Sequence, residues 1–522
     1  MTSVRERIFQ VFRAHGLSVI FGNPGSTELP FLENFHGDFS YILGLHEGSV
    51  VAMAIGYSFL SDKPAVVNLH TAAGTGNAMG SIVTAWHAQA PLIITAGQQD
   101  RRQIRTEPFL WGRQAEFVKP YVKWSVEPQR SIDVPEAIER AYHIAMSEPK
   151  GPVFVSIPMD GLEDECPSVE IRNVSYRTAP DEKAIEEIAK VLSQARKIAL
   201  IAGEQVDASG STADLVRLAE LLKSHVFLPP IAHRWSFPSG HELFRGRLPP
   251  AMKAISDTLA PYDTVLAIGS SVFQYYPYIP GPFINDGTRV FQITNDPMMA
   301  SRAVTGTSVV GDVSLGIRQL LSLVKQKEGT PPLHHKTHNV ISSIPPTSEY
   351  VHQRLAEAIP SDAVIFDEAP TSERYERLNL IGSKSHFQTA SGGLGFAMPA
   401  AVGAAIAQIE RPVVCIVGDG SAQYSIQSLW SAANYNAAVT FIVLNNSEYA
   451  ILKSFGMLFH EEGLPGLDVP DIDFEGLASG YGVEFKRVVD PDQITSTVQN
   501  AIQSRKSSLI EIPIDRHISP LL

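Results

Sequence analysis

Short apolar runs rich in β-branched residues recur along the chain, and a stretch with helical spacing follows most of them. In the first third, Leu17–Phe21, Tyr41–Leu45, Pro64–Leu69 and Leu92–Ala96 read as strands. Glu28–Asn34 and the segment from Glu47 to Leu60 read as helices, and a glycine-rich turn with a helix separates the last two strands. Ile198–Ala202, Thr264–Gly269 and Val290–Ile293 repeat the pattern in the middle. Ala363–Phe366, Val413–Val417, Val439–Leu444 and Leu509–Ile512 repeat it in the last third. A strand that returns through a helix pairs in parallel with its successor, and a parallel sheet needs helices on both faces. The expected class is therefore α/β, built from doubly wound parallel sheets. A chain of 522 residues has room for about three domains of ~100–200 residues.

Two polar breaks suggest where those domains divide. Residues 166–183 read CPSVEIRNVSYRTAPDEK, and residues 325–346 read KQKEGTPPLHHKTHNVISSIPP. The expected units are 1–175, 182–325 and 345–522. His334, His335 and His338 sit in the second break, where a solvated linker explains them better than a metal site. The two cysteines, Cys166 and Cys415, are far apart, and no CxxC occurs. That excludes a disulfide framework and a cysteine-type zinc or iron–sulfur site, and fits a reducing cytoplasm.

Charge is scarce and uneven. Lys, Arg, Asp and Glu make up 19% of the chain, and four stretches contain none: 64–99, 264–285, 385–409 and 420–447. A net charge of −13 leaves no basic footprint for nucleic acid. The uncharged stretches are not membrane spans, because Asn68, His70, Asn77, His87, Gln89 and Gln98 interrupt the first and clustered glycines the third. The N-terminus also lacks the apolar core of a signal peptide. Deep burial in a soluble, cytoplasmic protein or its subunit contacts is the expectation.

The stretch from Val413 reads VVCIVGDGS, an apolar strand running into Gly418-Asp419-Gly420. A helix is expected from about Ile426 to Ala433, then the strand that ends in Asn445-Asn446. Neighbouring parallel strands would set a carboxylate and an amide side by side at the carboxyl edge, where open α/β sheets bind ligands. Both offer hard oxygen to Mg²⁺, which takes further oxygens from phosphates and water. The glycines permit close approach of a diphosphate, and the following helix start favours its charge. Gly-Asp-Gly alone is an ordinary turn. The paired asparagines, with Asn446 placed 27 residues after Asp419, tip the balance.

This arrangement resembles the signature of the thiamine-diphosphate enzymes, and the likeness extends along nearly the whole chain. IFGNPGSTELP (20–30), NLHTAAGTGNAMG (68–80), PLIITAGQQ (91–99), VKWS (122–125), SGGLGFAMPAA (391–401), GDGSAQYSI (418–426) and PGLDVPDIDF (465–474) are similar to motifs of the 2-oxo-acid decarboxylases. The benzoylformate decarboxylases are the nearest group. The resemblance implies three α/β domains: pyrimidine-binding, middle and diphosphate-binding. It implies thiamine diphosphate held through Mg²⁺ (with Ca²⁺ able to stand in), the metal ligands being Asp419, Asn446 and the backbone carbonyl of Glu448. Glu47 matches the glutamate that activates the cofactor through its pyrimidine ring; outside this context it would read as a first-turn helix acid. Ser26 matches a contact of the substrate carboxylate, and His70 a proton-transfer histidine. Asn23, Pro24, Gly25, Asn77, Thr371, Gly392, Leu394, Gly418, Gly420, Ser421, Tyr424, Tyr449 and Ile451 fall at cofactor contacts. Gly392 presents a carbonyl to the 4′-amino group, and Leu394 bends the cofactor. Leu110, Leu452 and Phe455 fall in the substrate pocket.

The implied reaction is non-oxidative decarboxylation of a 2-oxo acid, expected to be aromatic (benzoylformate to benzaldehyde), with carboligation the alternative. The implied assembly is a homo-oligomer, at least a dimer and expected to be a tetramer. Two positions depart from the pattern. Tyr276 stands where the benzoylformate enzymes have a second catalytic histidine, and Pro370 where they have a threonine. A phenol titrates near 10 and an imidazole near 6.5, so proton relay through Tyr276 near neutrality is weaker. Gly74-Thr75-Gly76-Asn77-Ala78-Met79-Gly80 is one residue too long for a dinucleotide fingerprint, and no NAD site is expected.

Overall fold

The computed structural model describes residues 2–328, 340–372, 377–407, 410–518 and 521. His334, His335 and His338 lie outside the described residues. Three six-stranded sheets organise the rest. The first runs, edge to edge, Ser40–Leu43, Val19–Gly22, Ala65–Leu69, Leu92–Gln98, Pro152–Pro158 and Ser125–Val126. The second runs Thr307–Val310, Arg289–Thr294, Thr264–Ile268, Ile198–Ala202, His225–Leu228 and Phe244–Arg247. The third runs His386–Gln388, Val364–Glu368, Val413–Gly418, Val439–Asn445, Ser508–Pro513 and Glu484–Arg487. Every pairing is parallel. Counted in chain order within each sheet, the first and third share the order 2-1-3-4-6-5, whereas the middle sheet, read from the Phe244–Arg247 edge, runs 3-2-1-4-5-6. The central strands are buried along their length, as strands covered on both faces must be.

Two expected turns are helical instead. The glycines after Leu69 form no loop: the helix Thr71–His87 begins directly after His70 and contains Gly74, Gly76 and Gly80. Its tight packing against the helix Glu47–Ser61 makes small side chains useful there, and that outweighs the poor helical propensity of glycine. After Gly418 the chain turns helical at once, in Asp419–Ala422, and the longer helix is Ser428–Asn434.

The helices Glu47–Ser61 and Ala397–Ala407 cross and join the first and third domains in one core. Both are apolar on nearly every side, so neither shows an amphipathic stripe and both read as core. Their backbones touch. A Cβ on Gly56 would lie 1.9 Å from the Ala400 carbonyl oxygen, and one on Gly403 1.8 Å from that of Met53. No rotamer relieves a clash with backbone. Gly403→Val is therefore expected to cost about 3 kcal/mol or more, read as a lowered calorimetric midpoint. An unchanged midpoint would contradict the close crossing. Among the described residues, no helix is long and apolar enough to cross a membrane.

Candidate active site

One group of polar side chains gathers at the carboxyl edge of the first sheet. Glu47 opens its helix, buried, just after the strand Ser40–Leu43. Its carboxylate accepts from Asn77 Nδ2 at 3.1 Å and from Asn23 Nδ2 at 3.4 Å. His70 caps the neighbouring helix, and its Nδ1 lies 2.8 Å from Glu28 Oε2 and 3.2 Å from the Thr27 hydroxyl. Among the described residues no hydrogen bond occupies His70 Nε2, which leaves that nitrogen to meet a ligand. Gly25 makes the approach possible, since a Cβ there would fall 2.2 Å from the His70 ring. Ser26 and Pro24 are exposed beside it.

Glu28 reads from the sequence only as the start of a short helix, yet it organises this group. It is 1% exposed. Oε1 accepts from Gly97 N at 2.8 Å and the Thr27 hydroxyl at 2.7 Å; Oε2 accepts from Gly25 N at 2.8 Å and faces His70. A buried carboxylate so fully satisfied orients the imidazole and keeps a proton on Nδ1. Its only local signal is an acid inside the Asn-Pro-Gly-Ser-Thr loop.

A second group gathers at the carboxyl edge of the third sheet. The strands Val413–Gly418 and Val439–Asn445 pair directly, Gly418 opposite Leu444, so Asp419 emerges at the same edge as the Asn445-Asn446 pair. Asn445 is committed elsewhere. It donates to Glu511 at 2.7 Å and accepts from the Ser447 backbone and hydroxyl at 3.0 and 3.1 Å. Asn446 Oδ1 accepts the Glu448 N–H at 3.2 Å. The Glu448 carboxylate pairs with Lys453, which also meets Asp468 at 2.8 Å. That pairing turns the Glu448 side chain to a lysine and leaves its backbone carbonyl for a ligand.

Asp419 Oδ2 and Glu448 Oε1 are buried with no hydrogen-bond partner. Burial pushes the Asp419 carboxyl up to about 6. An orphaned carboxylate oxygen in a polar corner is the environment a divalent cation satisfies. The cleft that Asn446 shares with Thr347, Ser348, Thr371 and Ser372 offers hydroxyls to phosphate oxygens, with Glu349, Asp515 and His517 also in its wall. Ser421 is buried in the helical turn Asp419–Ala422, Gly420 lies against the Tyr449 ring, and Tyr424 is exposed. The residues present fit a metal-held diphosphate.

The loop that carries Gly392 and Leu394 is anchored by a residue the sequence did not single out. Glu368 ends the strand Val364–Glu368 and accepts from Phe396 N at 3.2 Å and Ala397 N at 3.1 Å. It is 3% exposed, and burial pushes its carboxyl up to about 7. Gly392 has φ +75°, a left-handed turn with open space where a side chain would be.

Tyr276, in the middle domain, reaches across to the third. Its ring centroid lies 5.2 Å from that of Phe455, on the helix Ala450–Phe459 that also bears Ile451 and Leu452. Leu110 is half-buried, at φ +72°. Among the described residues, no hydrogen bond within one chain joins Glu47, Ser26 or His70 to Asp419, Asn446 or Glu448.

Comparison with known proteins accounts for this division. Residues 2–117 match the model "Thiamine pyrophosphate enzyme, N-terminal TPP binding domain", 185–320 the central domain and 373–512 the C-terminal TPP binding domain. The chain is 40% identical over 522 residues to a benzoylformate decarboxylase of Pseudomonas aeruginosa, covering 98% of this chain and 99% of the relative. The crystal structure of benzoylformate decarboxylase from Polynucleobacter necessarius superposes with a TM-score of 0.97 at 38% identity, over 100% of both chains. A thiamine diphosphate-dependent 4-hydroxybenzoylformate decarboxylase of Rhodococcus jostii RHA1 superposes with a TM-score of 0.96 at 38% identity, over 99% of this chain and 100% of the other. Sequence, sheet order and whole-chain superposition agree that this chain belongs to the thiamine pyrophosphate enzymes and, within them, to the benzoylformate decarboxylase family of carbon–carbon lyases.

Proposed function

We propose that the chain is a thiamine-diphosphate- and Mg²⁺-dependent decarboxylase of an aromatic 2-oxo acid, with benzoylformate the leading substrate and an aldehyde and CO₂ the products. The observation that carries this reading is the orphaned Asp419 carboxylate beside Asn446 and the Glu448 backbone, in a chain that also buries Glu47 between two asparagines. Asp419, Asn446 and the Glu448 carbonyl hold Mg²⁺, and Thr371 and Ser421 meet the diphosphate. Glu47 would hold a proton at the pyrimidine ring, the Gly392 carbonyl would take the 4′-amino group, and Leu394 would support the cofactor. The bound cofactor supplies an electron sink for the pair released when the carbon–carboxylate bond breaks. Ser26 and His70 orient the substrate carboxylate. His70, with its Nδ1 proton fixed by Glu28, and Tyr276 deliver the proton that follows. Leu110, Leu452 and Phe455 enclose the aromatic ring and exclude water.

Both groups serve one site only if a second copy brings its first domain to this copy's third domain. A homodimer is therefore the minimal unit and a tetramer the expected one, read by light scattering after gel filtration.

The decisive experiment is a panel of 2-oxo acids with CO₂ and aldehyde quantified. Aldehyde equal to CO₂, with benzoylformate preferred, supports the proposal; preference for pyruvate, or a hydroxyketone product, defeats it. Glu28→Gln keeps the shape and removes the charge behind His70. It is expected to lower kcat at least tenfold, short of the full ~10²–10⁴-fold that a positioned proton-transfer group contributes. Equal kcat would remove Glu28 from the site. Tyr276→His is expected to raise kcat/KM for benzoylformate about tenfold near neutral pH, because an imidazole exchanges protons there more readily than a phenol. An unchanged value would mean that Tyr276 has no part in the relay; a lower one would mean that the phenol, and not an imidazole, suits this step.

A further inference from the structure

Away from this site, two imidazoles and a carboxylate converge on the first domain. Glu139 and His143 stand one turn apart on the helix Val134–Met146, and His15 caps the C-terminal end of Val4–Ala14. The histidines straddle the carboxylate: His15 Nε2 lies 2.6 Å from Oε2, and His143 Nε2 lies 3.0 Å from Oε1. The ligating atoms all lie within 4.8 Å of one another. The His15 and Glu139 side chains are each 7% exposed.

A second ring of contacts fixes the orientation of these groups. The Tyr176 hydroxyl meets His143 Nδ1. The Arg172 N–H donates to Glu139 Oε1 at 3.1 Å. The His15 ring stacks on Tyr142 with centroids 3.6 Å apart. Arg172 and Tyr176 belong to the irregular segment between the first and middle domains, so the cluster ties three separate pieces of chain together.

Two imidazole nitrogens with one carboxylate form the donor set of a borderline divalent cation such as Zn²⁺, whereas Mg²⁺ prefers an all-oxygen octahedron. Both rings turn Nε2 inward, and the far nitrogen of His143 already has an oxygen partner. That is the outer support metal-binding histidines use. We propose that His15, Glu139 and His143 bind one divalent transition-metal ion, Zn²⁺ foremost, at a site separate from the Mg²⁺–diphosphate site. The ion replaces the inward Nε2 protons. A neutral ring then carries its proton on Nδ1, and at His143 that N–H donates to Tyr176. Water completes the fourth coordination position. The bound ion fastens the first helix and the interdomain segment to Val134–Met146.

The test uses tag-free holoenzyme, loaded with thiamine diphosphate and millimolar Mg²⁺ so that Asp419 is occupied. Zinc chloride is titrated by calorimetry, and retained zinc is counted after gel filtration. One zinc per chain is expected, with an anomalous-scattering peak between the three side chains and a thermal midpoint that rises with zinc. His143→Ala and Glu139→Gln should each weaken binding more than ~100-fold and Tyr176→Phe about tenfold, since outer partners are worth ~10–100-fold in affinity. Decarboxylation by the zinc-free variants should equal that of the parent. If His143→Ala fails to fold, Glu139→Gln and Tyr176→Phe keep the test, being near-isosteric. Absence of stoichiometric zinc, or binding undiminished in these variants, would overturn the assignment.

Discussion

Glu47→Gln is expected to lower kcat by ~10²–10⁴-fold, the range contributed by a positioned acid or base, while the fold and Mg²⁺ binding persist. The amide has the same volume, and its single oxygen can still accept from Asn77, although its NH2 group then faces the Asn23 donor. What it loses is the ability to accept and hold a proton on the pyrimidine ring. The glutamate lies where such a bond counts most, buried beneath the helix start and excluded from most water. Initial rates of CO₂ release, together with circular dichroism of the bound cofactor and the thermal midpoint, separate lost chemistry from lost binding. A variant that turns over within threefold of the parent would refute the assigned role.

Asp419→Asn should have opposite effects on stability and on function. Burial raises the Asp419 carboxyl to about 6 from its ordinary 3.8. A folded value above the unfolded one means that the empty protein is destabilised as the pH rises from about 4 through 6, when a buried charge must form. At neutral pH the neutral amide removes that cost. With no metal or cofactor added, the variant should therefore be more stable than the parent by about 1–3 kcal/mol, because each tenfold loss of acidity on folding is worth ~1.4 kcal/mol. Function moves the other way. Loss of a charged ligand is expected to weaken Mg²⁺-dependent cofactor binding more than ~100-fold, beyond the effect of losing an outer partner. Because only the ionised carboxylate binds the cation, the parent's Mg²⁺ affinity should fall about tenfold per pH unit below 6. Calorimetric melting with and without cofactor, and Mg²⁺ titration between pH 5 and 8, read both effects. If the empty variant melts lower than the parent, Asp419 is a structural carboxylate, not a waiting ligand.

Much of the candidate site is legible in the sequence because its pieces sit at the ends of strands that announce themselves. Val413–Gly418 and Val439–Asn445 are continuous apolar runs, as strands covered on both faces must be, so the residues just beyond them fall at a carboxyl edge as expected. Glu47 follows from the same reasoning on the first sheet, although its strand stops at Leu43 rather than Leu45. The glycines of 74–80 mislead because local propensity favours a turn, while contact with the helix Glu47–Ser61 makes the segment helical.

The class of fold, the approximate strand ends and the acids and amides that follow them are legible along the chain. Period and apolar run length report burial over a few residues, and runs buried on both faces that alternate with helices go with parallel pairing through helical crossovers. Only the tertiary structure decided which groups became partners. Glu28 looks like a helix-start acid until Gly97 and His70, 69 and 42 residues away, close around it. Of the two adjacent asparagines, Glu511 claims Asn445 and leaves Asn446. Glu368 and the Gly392 loop, or His15 and Glu139 at a separation of 124 residues, leave no local trace. Hydrogen bonds and ion pairs act over a few ångströms of space, whereas a sequence pattern records only neighbours along the chain.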